Sequence, residues 1–106
     1  MNQNSLAGKI SAGKIVYGTC ISSAAPLWGK AARIAGLDFV FLDTEHIPLE
    51  RMEVAALCQL YSAMGIAPIV RIPSPDPFRA CQMLDAGATG VVAPYIEMVE
   101  QVQEMV

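Results

Sequence analysis

An α/β fold with a parallel sheet is predicted by three features of the 106-residue sequence. Four short runs rich in β-branched or aromatic residues recur along it at a near-even spacing. Three of the four lack polar alternation, which is the pattern of strands covered on both faces. Between the runs lie segments of helical length and period, and strands alternating with helices build right-handed crossovers between adjacent parallel strands.

The elements follow in order. Residues 1–14 (MNQNSLAGKISAGK) read as a lead-in with two lysines and no apolar signal segment. Ile15–Cys20 (IVYGTC) is the first expected strand. Ser22 and Ser23 can cap a helix over Ala24–Ala35, in which Leu27, Ala31, Ile34 and Ala35 share a stripe, Trp28 packs, and Gly36 supplies a left-handed stop. Phe39–Asp43 (FVFLD) is the second strand. Pro48 opens a second helix whose Leu49, Met52, Ala56, Leu57, Leu60 and Met64 recur at three- and four-residue spacing up to Gly65. Ala67–Ile72 (APIVRI) is the third strand. A third helix starts near Ser74-Pro75-Asp76-Pro77, turns Phe78, Cys81 and Leu84 inward and stops at Gly87. Gly90–Ala93 (GVVA) is the fourth strand, and a last helix from about Glu97 carries Val99, Val102 and Val106 on one side. This cadence is that of the first four βα units of a TIM (β/α)8 barrel. A whole barrel takes about 200 residues or more, so residues 15–106 are expected to form a partial, truncated one.

Composition narrows the function classes. The chain is 54% hydrophobic and 16% charged, so it carries far more apolar surface than a disordered segment. A formal charge of −3 lacks the basic field that nucleic-acid binding requires. No run of about 18 apolar residues suggests a membrane span. Cys20, Cys58 and Cys81 are odd in number and form no CxxC, so they read as buried thiols in a reducing compartment, and a soluble cytoplasmic protein is the expectation. The segment after strand one, Gly18-Thr19-Cys20-Ile21-Ser22-Ser23, is no G-x-G-x-x-G dinucleotide fingerprint, and no Walker loop occurs.

In parallel α/β folds, ligands bind beyond the carboxyl ends of the strands. Strand two runs directly into Asp43-Thr44-Glu45-His46, and strand three delivers Arg71 after Ile69-Val70. His46 can serve as a general base with Asp43 orienting it; alternatively it caps the next helix or sits in a solvated loop. Arg71 can hold a carboxylate or enolate with its planar fork; alternatively it is an internal ion-pair partner of Asp43 or Asp85. Asp43, Glu45 and His46 on one short loop form a poor closed metal site. Thr19, Ser22 and Ser23 follow strand one, with helix capping the simpler account of the serines. Tyr95, after Pro94, either lines the mouth or packs in the core. Glu97, Glu100 and Glu104 read as a solvated acidic face.

FLDTEH after strand two, VRIP after strand three and QMLDAGATGVVAPYIE across the third helix and fourth strand together resemble the N-terminal half of the HpcH/HpaI aldolase/citrate lyase family, the metal-dependent class II pyruvate aldolases. Within it the resemblance is nearest to the 4-hydroxy-2-oxoheptanedioate and 2-keto-3-deoxyglucarate aldolases. It implies a lyase that cleaves 4-hydroxy-2-oxo acids to pyruvate and an aldehyde, with Mg²⁺, Mn²⁺ or Co²⁺ as cofactor, a small 2-oxo acid as substrate and a homo-oligomeric assembly. By the same resemblance His46 is the acid/base with Asp43 paired to it, and Arg71 binds the pyruvyl oxygens. Asp85 is contributed at a subunit interface, and Glu45 lies near the metal's water shell. The family's Glu and Asp metal ligands lie on later strands absent from these residues, so this portion is expected to be inactive alone. Two other readings remain: a non-catalytic half barrel that self-associates through its sheet edges, and a CoA-thioester lyase of the citrate lyase branch.

Overall fold

The computed structural model describes residues 2–106. The chain runs α1 (Leu6–Ser11), β1 (Gly18–Ile21), α2 (Leu27–Ile34), β2 (Phe39–Asp43), α3 (Arg51–Ala63), β3 (Ala67–Arg71), α4 (Pro77–Asp85), β4 (Gly90–Val92), α5 (Val99–Met105). The four strands form one sheet in the order β1-β2-β3-β4 and every pairing is parallel. This is the four-unit βα array that the sequence predicts, with one addition: α1 lies inside the stretch expected to be a plain lead-in. Ser5 caps it by accepting the Gly8 N–H, and Lys9 ties it to Asp38 at 2.5 Å.

The two faces of the sheet differ. Val40 and Leu42 of β2 and Pro68 and Val70 of β3 point toward the helices and are fully buried against Val54, Leu57, Cys58 and Tyr61 of α3. The alternate positions, Phe39, Phe41, Ala67 and Ile69, lie on the opposite face and are only half-buried. Pro68 is tolerated within a central strand because its carbonyl, which points toward β4, meets the Thr89 N–H at 2.9 Å just before β4 begins. The missing Pro N–H therefore falls at the end of that ladder. Gly18 is required for a different reason: a Cβ there would lie 2.4 Å from the Phe39 ring across the first rung.

Several expectations about packing and helix bounds are corrected. On α2 the stripe of Leu27, Ala31, Ile34 and Ala35 faces outward, with Leu27 73% exposed, while Gly29 and Ala32 meet the sheet and α3. On α4, Phe78 (80% exposed), Cys81 and Leu84 face outward and Ala80 and Met83 inward. The cause is close approach: a Cβ on Gly29 would already stand 3.1 Å from Leu60 and Met64, so the small residues take the inner face and the large ones remain outside. On α3, Met52 and Ala56 are likewise exposed, and on α5, Val99, Val102 and Val106 are exposed. Trp28 is half exposed, beside a 510 Å³ groove between α2 and the β1 edge. Only Cys58 is a buried thiol; Cys20 and Cys81 are exposed. Finally, α3 begins at Arg51 rather than Pro48, because Glu50 and Glu53 form a reciprocal capping box there. No helix among the described residues is long and apolar enough to cross a membrane.

Candidate active site

At the carboxyl end of the sheet, β2 and β3 end side by side, and the register pairs Asp43 directly with Arg71. These side chains project from the face opposite the helices, one layer above Phe41 and Ile69. Arg71 grips Asp43 in a fork: Nε donates to Oδ1 at 3.1 Å and Nη2 to Oδ2 at 2.6 Å. Its guanidinium lies 5.4 Å above the Phe41 ring centroid, a cation–π stack that holds the plane from below. Asp43 Oδ1 also accepts the backbone N–H groups of Glu45 and His46, at 2.9 and 3.3 Å. This curls the loop back over the strand end. The Arg71 carbonyl accepts the Thr44 hydroxyl at 2.6 Å and its N–H at 3.1 Å, which fixes the loop to β3 as well.

Asp43 is 6% exposed and is the one buried charged residue of the described core. The Arg71 guanidinium, opposed by burial and reinforced by the two loop N–H groups, holds its carboxyl at a pKa of about 2. The same pairing raises the pKa of Arg71. The pair is therefore fully ionised at neutral pH.

Glu45 forms a second ion pair with the same guanidinium, Oε2 standing 3.2 Å from Nε. Its Oε1 accepts a hydrogen bond from the Tyr95 hydroxyl, which links the end of β2 to the segment after β4 across 50 residues. Tyr95 thus resolves to the mouth rather than the core. It is the only non-glycine among the described residues with positive φ, at 57°. That conformation costs about 1–2 kcal/mol for an L-residue. The hydrogen bond raises the pKa of the phenol.

His46 is the open member of the group, its side chain 58% exposed. Its Nδ1 lies 3.5 Å from Arg71 Nη2 and 3.8 Å from Asp43 Oδ2, and its Nε2 lies 3.5 Å from Glu45 Oε1. Asp43 is thus beyond hydrogen-bond range of the ring; its oxygens serve Arg71 and the loop backbone instead. His46 caps no helix, since Glu50 caps α3. Asp85 is not brought here. It ends α4, forms no hydrogen bond or ion pair with Asp43, Glu45, His46 or Arg71, and lies exposed beside a groove between α3 and α4 lined by Arg51, Met52 and Gln82. Asp43 and Arg71 end β2 and β3 and Glu45 and His46 follow β2 in a loop, where the sequence predicts them, whereas the Tyr95–Glu45 link is not predicted. Only the position of Tyr95 after Pro94, at the end of a strand, hints at the link.

Ligand atoms of Asp43, Glu45 and His46 lie within 4.8 Å of one another. These residues do not by themselves fit a divalent ion. Both carboxylates already bind the Arg71 guanidinium, a fixed cation at 2.6 and 3.2 Å, so a metal among them would face a like charge at contact distance.

Residues 17–106 match the family model of the HpcH/HpaI aldolase/citrate lyases. Over 89 residues the chain is 35% identical to a 2-dehydro-3,6-dideoxy-6-sulfogluconate aldolase of Pseudomonas putida, covering 84% of this chain and 35% of that protein. A hydroxypyruvate/pyruvate aldolase of Roseovarius nubinhibens is 27% identical over 97% of the chain and 40% of its own length. Among solved structures, an HpcH/HpaI aldolase from Desulfitobacterium hafniense superposes with a TM-score of 0.89 at 33% identity, covering 96% of this chain and 40% of that one. The citrate synthase SbnG superposes with a TM-score of 0.90 at 34% identity, covering 98% and 42%. The chain thus spans about 40% of the length of the relatives it matches. It belongs to the HpcH/HpaI aldolase/citrate lyase family.

Proposed function

We propose that this chain supplies the oxyanion-holding and proton-transfer part of the active site of a pyruvate aldolase that cleaves 4-hydroxy-2-oxo acids. The carrying observation is the Arg71 guanidinium, pinned at the sheet mouth by Asp43, Glu45 and the Phe41 ring. The hydrogen bonds that pin it use Nε and Nη2, which leaves Nη1 to donate to the oxygens of a 2-oxo acid. In the cleavage a base takes the C4 hydroxyl proton and the C3–C4 bond breaks. Its electron pair becomes the enolate of pyruvate, the aldehyde departs, and C3 regains a proton. Arg71 stabilises the enolate oxygen as charge develops there. His46, exposed beside it, exchanges the proton. Because the guanidinium is held before substrate arrives, little reorganisation opposes the reaction.

A divalent ion, Mg²⁺, Mn²⁺ or Co²⁺, belongs to this reading by family, with its carboxylate ligands on strands beyond those described here. Asp85 is assigned to a subunit interface, supported by the exposed apolar surface near it, Met52 in the same groove and Phe78 and Leu84 on its own helix. The open sheet edges and the half-buried face of Phe39, Phe41 and Ile69 favour a second reading, a half barrel that pairs with another half.

The test is pyruvate release from 4-hydroxy-2-oxo acids with each metal, by this chain and by a form extended with the family's remaining strands. The expected result is activity in the extended form only. Equal activity in both would show that the remaining strands are not needed. Activity in neither would remove the aldolase reading.

A further inference from the structure

Glu45 Oε1 has two neighbours that compete for it. The Tyr95 hydroxyl donates to it, while His46 Nε2 stands off at 3.5 Å. The other carboxylate oxygen is held as an ion-pair partner 3.2 Å from Arg71 Nε. If the phenol were absent, the freed oxygen would be close enough to draw the imidazole N–H into a full hydrogen bond with only a small rotation. His46 would then be tied down between Glu45 and Arg71 Nη2, with both ring nitrogens engaged. Tyr95 reaches Glu45 from a left-handed backbone conformation, which is strained for any side chain but glycine and is found where surrounding structure holds it in place. The segment carrying it follows β4, and no regular element constrains residues 93–97. Buried Pro94 anchors the segment, and the phenol contact across the mouth is the one side-chain hydrogen bond of Tyr95 itself among the described residues.

We propose that Tyr95 is a positioning residue for the acid/base: by occupying Glu45 Oε1 it keeps that carboxylate off His46 Nε2 and leaves the imidazole free to exchange a proton with substrate. Tyr95 itself touches no reacting atom. The role rests on the aldolase reading above for its catalytic meaning, but the contact it describes is independent of that reading.

The test combines a spectroscopic and a kinetic measurement. In this chain, ¹⁵N resonances of the His46 ring are recorded for the parent, Tyr95→Phe and Tyr95→Gly. Tyr95→Gly removes the phenol and also relieves the positive φ, so an unchanged or higher melting temperature in that variant separates loss of the contact from loss of the fold. Both variants should move the Nε2 resonance in the same direction, toward a hydrogen-bonded ring. Glu45→Gln in the Tyr95→Phe background should largely abolish that movement. In the extended form, Tyr95→Phe should lower kcat roughly tenfold with KM changed less than about twofold, since a misplaced catalytic group costs rate while Arg71 still binds the oxo acid. Unmoved ring resonances in both variants would overturn the proposal, as would a moved resonance with unaltered kcat. If the parent extended form makes no pyruvate while the resonances move as expected, the aldolase reading fails and the Tyr95–Glu45–His46 arrangement stands.

Discussion

Asp38 and Asp43 sit five positions apart at the two ends of β2 and make nearly the same bonds. Asp38 accepts Lys9 Nζ at 2.5 Å and the Tyr17 N–H at 2.9 Å. Asp43 accepts a bidentate Arg71 and the N–H groups of Glu45 and His46. Both carboxyls are held below their ordinary pKa, chiefly by the cation that donates to them. The lower pair closes on itself: a lysine is a point charge, and Lys9 serves to fasten α1 beneath the sheet. The upper pair leaves part of its cation unspent, because a guanidinium has five donors and a second carboxylate, an imidazole and a phenol are arranged around it. An aspartate–cation pair is thus structural or chemical according to what the cation has left to offer and which end of the strands it occupies.

The largest expected effect is on rate. In the extended form His46→Ala should lower pyruvate formation by about 10²–10⁴-fold. Its melting temperature should change little, since the ring is exposed. Wild-type kinetics in that variant would reduce His46 to a loop residue.

Next is the stability contrast between the two aspartates. Asp43→Asn removes the charged acceptor of two Arg71 hydrogen bonds at a buried position, leaving Glu45 to pair the guanidinium, and should cost roughly 2 kcal/mol in urea unfolding of this chain. Asp38→Asn, which releases a partly exposed lysine, should cost about 1 kcal/mol. Equal losses would erase the distinction drawn between the two ends. The same contrast has a pH signature. The Asp43 carboxyl titrates near 2 in the folded chain and near 3.9 when unfolded. Its stabilising contribution is therefore complete above the unfolded value and drains away as the pH falls from about 4 through 2. Asp43→Asn should flatten the acid limb of the stability curve.

Smaller effects probe the core beneath. Burial pushes the Cys58 thiol up to about 11, so a disulfide reagent at pH 8 should modify Cys20 and Cys81 quickly and Cys58 only on unfolding. Three fast thiols would contradict the packing of α3 on the sheet. Tyr61 is fully buried and its hydroxyl has no hydrogen-bond partner among the described residues. Tyr61→Phe should therefore be neutral or stabilising by up to about 1 kcal/mol, the reverse of the usual loss on removing a buried polar group.

Strands and strand ends were the most legible part of the sequence, and helix faces the least. A short apolar run rich in aromatic and β-branched residues such as Phe39–Leu42, bounded by turn residues, reads as a strand, and the charges that follow it fall at the mouth. The helices are apolar on more than one side, so periodicity finds a stripe without saying which stripe faces inward. Leu27, Phe78 and Leu84 satisfy the spacing rule and still face outward, because Gly29, Ala32 and Ala80 let the backbones approach. The short α1 was hidden by its glycine and its brevity. Within the site, Asp43, Glu45, His46 and Arg71 declare themselves by position, whereas the Tyr95–Glu45 link depends on a loop conformation that no local pattern encodes. Asp85 gives the opposite case, a residue named by resemblance that a single chain leaves exposed in a groove between α3 and α4, outside the Asp43–Arg71 group.

The central claim is that the fork of Arg71, held flat by Asp43, Glu45 and Phe41, stabilises the enolate oxygen. Arg71→Lys tests it most directly, because lysine keeps the charge and loses the plane. Pyruvate-forming kinetics of that variant in the extended form should show kcat reduced by at least about 10²-fold, as for loss of an oxyanion donor, with urea stability also lowered. Rates within about twofold of the parent would mean that charge alone suffices, and would make Arg71 a structural ion-pair partner like Lys9.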